Sequence, residues 1–177
     1  MGREAKLTDS EHGRTPEGVG WFVLNAKDAP WRHREGRGAV CYFEGPEDFD
    51  QLGINVIHLG AGEAMGMYHW EADQEDFLVV SGDATLIVEG EERPLRQWDL
   101  FHCPPNTGHI IVGGPAVVVA VGAREHDGRP DWGGYRPDAT AAKYGASVER
   151  ETTEASEAYA AMKHRELTAF REGWLPG

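Results

Sequence analysis

Met67-Tyr68-His69-Trp70-Glu71-Ala72-Asp73-Gln74-Glu75-Asp76-Phe77-Leu78-Val79-Val80-Ser81-Gly82 is the stretch on which the reading of this chain turns. Its flanks are extended in character, and in a strand every second side chain lies on the same face. Met67, His69 and Glu71 therefore share one face, with Tyr68 and Trp70 on the other. Ala72-Asp73-Gln74 reads as a short polar turn. Beyond it Glu75, Phe77 and Val79 share a face until Ser81-Gly82 turns the chain again. If the two strands are neighbours, one imidazole and two carboxylates meet.

A second imidazole comes from further along. Trp98-Asp99-Leu100-Phe101-His102-Cys103-Pro104-Pro105-Asn106-Thr107-Gly108-His109 reads as a strand, a proline turn and a His that opens the strand Ile110-Ile111-Val112. Neutral His nitrogens and ionised carboxylates are usual ligands of zinc, manganese or iron. The candidate metal ligands are thus His69, Glu71, Glu75 and His109, for one divalent ion per chain. Met67, Phe77 and Ile111 are candidates for an apolar pocket lining. His58 and His102 are expected to pack rather than to reach the cavity. Asp73 and Asp76 are expected to be solvent-facing turn residues, and His12, His33, His126 and His164 receive no role.

These residues resemble the two motifs of the cupin superfamily, and the chain is similar to its small single-domain, RmlC-like members. The family's first motif runs Gly-x5-His-x-His-x3–4-Glu-x6-Gly and its second Gly-x5-Pro-x-Gly-x2-His-x3-Asn. His69, Glu75, Gly82, Pro104 and His109 stand in register with them, and the fifteen residues 83 to 97 separate the motifs. The likeness covers roughly residues 50 to 123. It departs at Gly62, one place early, at Glu71 in place of the second His, at Trp98 and Asn106 in place of glycines, and at Gly113 in place of Asn. Asn tolerates the left-handed backbone of a glycine turn. Glu71 is the larger change, since it makes a His-x-Glu variant at a ligand position.

The resemblance implies an all-β double-stranded β-helix, a jelly-roll barrel, and leaves the activity open because one fold hosts many functions. If Glu71 binds, two carboxylates neutralise a divalent ion, giving a weaker Lewis acid with less preference for copper or nickel. Otherwise His69, Glu75 and His109 form a two-His-one-carboxylate set, with Glu71 as a base beside its open positions. The leading expectation is a metalloenzyme of dioxygenase, isomerase or lyase type that acts on a small molecule inside the barrel. The alternatives are a metal-bearing binding or sensing module without turnover, and a metal-free structural barrel.

The chain of 177 residues is sized for one globular domain with appendages, and its 40 % hydrophobic and 27 % charged residues are ordinary for such a domain. Three segments are expected: an N-terminal extension with leading strands (1–49), the barrel (50–123), and a loop with a C-terminal helical extension (124–177). Residues 1 to 20 are expected to be mobile at the start. The leading strands are Trp21 to Asn25 and Ala39 to Phe43. Barrel strands are expected at Ile54 to Leu59, Met65 to Glu71, Asp76 to Val80, Ala84 to Val88, Arg93 to Leu95, Leu100 to Cys103, His109 to Val112 and Ala116 to Val121. Glu89 to Glu92 is the loop of a hairpin. Ala123 to Pro137 reads as loop, and Ala139 to Tyr144 and Thr153 to Phe170 as helices. Tyr159, Met162, Leu167, Phe170 and Trp174 make an apolar stripe on the second helix.

The net charge of −13 argues against a nucleic-acid partner, which would need clustered Lys and Arg. No run of about eighteen apolar residues is present to span a membrane. The opening residues carry no apolar core, and Lys6 spoils a myristoylation pattern, so a cytoplasmic location is expected. Cys41 and Cys103 are expected as two buried thiols rather than a bridge. The apolar runs near Trp21 and Ala39 lie outside the minimal barrel and need cover, which suggests a homodimer.

Overall fold

The computed structural model describes residues 2–126 and 132–177. A small hairpin, β1 (Lys6–Ser10) and β2 (Gly13–Glu17), forms a sheet of its own. It replaces the mobile start that polarity alone suggested, because five residue pairs in register satisfy the backbone without an apolar face. Trp21 to Asn25 is not a strand: only Trp21 bridges to Glu4, and Trp21 and Val23 stay exposed.

The remaining ten strands form one sheet. It is built from β3 (Trp31–His33), β4 (Ala39–Tyr42), β5 (Leu52–Leu59), β6 (His69–Glu71), β7 (Glu75–Val88), β8 (Glu91–Arg96), β9 (Leu100–Cys103), β10 (His109–Ala123), β11 (Gly133–Tyr135) and β12 (Glu166–Thr168). The order β11-β6-β10-β5-β4-β3-β12 runs along one path, while β7 pairs with β10, β8 and β9. β10 holds the fold together: β7 lines one side over nearly its whole length, and β5 and then β6 take the other. Its β-branched runs Ile110-Ile111-Val112 and Val117-Val118-Val119 suit a strand buried on both faces. Val40, Ile57, Leu59, Phe77, Val79, Leu86, Ile111 and Val118 meet in the principal core.

Two pairs of expected strands are single long ones. β7 runs through Ser81-Gly82 without ending, and β10 runs through Gly113 and Gly114. Gly82 has φ +73°, and the register with β10 shifts on either side of it. The glycine bends the strand at a bulge instead of reversing it. Conversely, Met65 to Tyr68 is bent chain, and β6 is only three residues long. The hairpin expected at Glu89 to Glu92 is present but tighter: only Glu89 and Gly90 form the turn, both at positive φ as in a two-residue turn that matches strand twist, and Glu91 and Glu92 already pair in β8.

The helical expectations shrink. α1 (Ala139–Ala142) is one turn, capped by the Asp138 carboxylate, which accepts from the backbone N–H groups of Thr140 and Ala141. α2 (Ala155–Ala158) is another single turn. The long helix over 153–170 is absent because its apolar stripe is divided between two places. Tyr159 and Met162 pack with Met67 and Tyr135, whereas Phe170 and Trp174 pack on Trp31. Between them β12 pairs with β3 and covers its edge. Leu167, counted in the stripe, is 51 % exposed. The loop expected over 123–137 contains β11, which pairs with β6; its residues 127–131 lie outside the described part. Among the described residues no helix is long and apolar enough to cross a membrane.

Candidate metal centre

β6, β7 and β10 bring three side chains together. His69 and His109 are register partners across β6 and β10, with ring centroids 4.7 Å apart. Glu75 opens β7, which lies against β10 on the other side. His69 Nε2 is 3.8 Å from Glu75 Oε2, and His109 Nε2 is 3.3 Å from the same oxygen. One ligand atom from each of the three lies within 4.8 Å of the others.

The rings are aimed by their other nitrogens. His69 Nδ1 lies 2.8 Å from the Met67 carbonyl, and His109 Nδ1 lies 3.1 Å from the Thr107 carbonyl and 3.3 Å from Cys103 Sγ. A carbonyl can only accept, so each Nδ1 carries the proton and each Nε2 lone pair faces the centre when the ring is neutral. Glu75 Oε2 and His109 Nε2 are buried 3.3 Å from each other, and neither makes a well-formed hydrogen bond with any group. Buried polar atoms are normally satisfied, and a divalent ion would satisfy both at once. The residues present therefore fit a metal.

Their electrostatics point the same way. Burial, then the neighbouring His109, pulls His69 down to about 4, so it is neutral and ready to ligate. Burial also opposes charge on His109, but contact with Cys103 and Glu75 outweighs it and pushes that imidazole up to about 10. Burial alone would raise Glu75; the two facing imidazoles reverse this and hold it below the usual carboxylate range. Without a metal the trio holds a proton that a metal must displace.

Glu71 lies beside the trio and not within it. Its Oε1 is 3.9 Å from His69 Nε2, and its side chain lines the adjoining cavity. That cavity, about 430 Å³, also receives His69, Glu75 and Phe77. Met67 and Ile111 do not line it. The chain before β6 is bent, so strand alternation does not carry back to Met67, which packs outward on Tyr135 and Ala158. Ile111 is wholly buried in the core.

Other lining residues come from outside the motifs: Arg34, Tyr42, Tyr159 and Arg165, with Tyr135, the register partner of His69, whose ring centroid is 6.1 Å from that of His69. Their only sequence signal is the aromatic and basic character of two segments whose place in the sheet is not legible from periodicity. His58 stacks on Trp174, and the exposed His102 pairs with Asp76 through Nδ1 at 2.7 Å; neither lines the cavity. Asp73 is buried, contrary to expectation, since its carboxylate accepts from the backbone N–H and the ring of His126. Cys41 and Cys103 are free and buried.

Residues 55–122 match the family model described as "Cupin domain". This barrel is a cupin domain. Solved structures share it. An RmlC-like cupin from Shewanella frigidimarina is 17 % identical, with a TM-score of 0.52 over 61 % of this chain and 95 % of that one. KdgF from Halomonas sp. is 21 % identical, with a TM-score of 0.51 over 62 % and 97 %. A sugar phosphate isomerase of the cupin superfamily from Silicibacter pomeroyi is 24 % identical, with a TM-score of 0.45 over 50 % of this chain; the match spans 60 % of that protein's length. No curated protein sequence matches. At these identities the likeness is one of fold, and the cupin's chemistry has to be argued from its own residues.

Proposed function

We propose that this cupin binds one divalent metal ion through His69, Glu75 and His109 and acts as a metalloenzyme on a small molecule held in the adjoining cavity. The observation that carries the reading is the convergence of three ligand atoms, two of them buried without other partners, at the end of a cavity. Two imidazoles and one carboxylate suit zinc, manganese or iron(II). When bound, such an ion would act as a Lewis acid on an oxygen of the ligand.

The protein's own groups do the rest. Glu71, beside the trio, is placed to act as a fourth ligand or to take a proton from the bound molecule. Phe77 and Ile57 exclude water from one side of the cavity. Isomerisation, lyase and dioxygenation chemistry all remain within reach of this set.

The test is elemental analysis of protein that has met neither a chelator nor an affinity-column metal. Close to one ion of zinc, manganese or iron per chain is expected. A folded sample that carries none and refuses all three when they are added would sink the proposal. Metal binding with no turnover of any small acid, sugar or aromatic substrate would leave the alternative, a binding or sensing module.

A further inference from the structure

The cavity that receives His69 and Glu75 is also lined by two arginines placed against their own repulsion. β12 pairs antiparallel with β3, and Glu166 lies opposite His33. One step along that register Arg34 faces Arg165, and both line the cavity. Like charges directly opposite on adjacent strands are destabilising. Among the described residues no carboxylate pairs with either guanidinium, although other arginines there, Arg124 and Arg136 among them, do have acidic partners.

What holds the pair is apolar or neutral. The Arg34 guanidinium lies 4.5 Å from the Tyr159 ring centroid, and Arg165 donates to the Tyr42 hydroxyl at 2.6 Å. Arg34 Nε is buried with no partner at all. Burial, then the charge of Arg165, pulls Arg34 below its ordinary range, as expected for two uncompensated cations. A bound anion would relieve the repulsion and satisfy Nε together. Guanidinium forks match carboxylate and phosphate oxygens.

We infer that Arg34 and Arg165 form an anion subsite, and that the cavity takes a small organic acid whose carboxylate or phosphate lies on the two arginines while another oxygen faces His69, Glu75 and His109. At about 430 Å³ the cavity falls at the small end of the roughly 300–1,000 Å³ usual for ligand sites. The ligand's second contact rests on the proposed metal site, whereas the arginine subsite does not.

The experiment is calorimetric titration of the Mn²⁺-loaded protein with malonate, with 2-phosphoglycolate and with uncharged malonamide. At least one anion should bind roughly tenfold or more tighter than malonamide, as charge-assisted hydrogen bonds imply, and the tighter of the two identifies carboxylate or phosphate. Arg34→Gln and Arg165→Gln should each remove that preference, leave Mn²⁺ affinity unchanged, and keep or raise the melting temperature, since a like charge is gone. Anions that bind no tighter than malonamide overturn the inference, as does a preference that survives in the double variant. The wild-type comparison needs no variant, so poor folding of a variant leaves the inference open to refutation. Should Mn²⁺ fail to bind, the same titration in chelator decides: a preference that depends on the arginines upholds the subsite while the metal reading falls, and no preference overturns the subsite.

Discussion

The metal end of the cavity and the arginine end are built differently. His69 and Glu75 stand on strands paired to the central β10, which carries His109, and the two imidazole rings are fixed by backbone carbonyls. Arg34 and Arg165 lie just beyond the ends of two three-residue strands at one margin of the sheet, β3 and the edge strand β12, and an aromatic face and a hydroxyl hold them. The groups proposed to meet an ion sit where the backbone has least freedom, and the groups proposed to meet the ligand's anion sit at the sheet margin, which can change without disturbing the frame.

Four measurements would break or sharpen that contrast. The largest effect should come from the ligands themselves: His109→Ala and Glu75→Ala should each lower Zn²⁺ or Mn²⁺ affinity more than about 100-fold, beyond the range typical of a supporting partner. A competition titration against a coloured chelator reads this, and wild-type affinity in either variant would falsify the three-residue centre.

The next effect is on pH. With His109 raised to about 10 and His69 lowered to about 4, metal uptake near neutrality should release one proton. Affinity should then rise about tenfold per pH unit from roughly pH 6 to 9. A slope near twofold that value in log units would mean that His69 is also protonated. In chelated protein the signs are opposed. The raised His109 contributes stability that is full below its unfolded value of about 6.5 and is lost as pH rises through about 10. The depressed His69 withdraws stability as pH falls from about 6.5 to about 4. Melting temperature should therefore peak near pH 6.5 without metal, and a monotonic profile would contradict the assignment.

Gly82→Ala addresses the frame. Its φ of +73° is left-handed, and a Cβ there would meet the Pro115 carbonyl across the sheet. A loss of at least ~2 kcal/mol in urea unfolding is expected, with metal affinity of the folded fraction little changed. The smallest effect belongs to Glu71, which lies beside His69. Glu71→Gln should weaken metal binding by about tenfold or less, the low end for a group supporting a ligand. A loss equal to that of Glu75→Ala would make Glu71 a full fourth ligand.

The metal end was legible from sequence because it rests on spacing. His69, Glu75 and His109 are placed by strand alternation and by motif register, and both survive ignorance of the surrounding sheet. Even the departures behave as the motif requires: Trp98 and Asn106, standing at glycine positions, keep positive φ of 75° and 65°. Met67 was misplaced because alternation was carried across a bend. The arginine end was illegible for another reason. Whether Arg34 faces Arg165 depends on the pairing of β3 with β12, over a hundred residues apart in sequence, and a three-residue strand has too short a pattern to announce its partner. The stripe over 159–174 has a helix's period by coincidence of two unrelated packing sites.

The pairing of β12 with β3 also sets an order in time. A chain emerging from the ribosome has all of β3 to β10 available once residue 123 is out, so the three candidate ligands can assemble while Arg165 is still unsynthesised. The last forty or so residues then close the cavity against a segment made first. Were the proposed ion to load at that stage, it would do so before Arg165 joins the cavity wall.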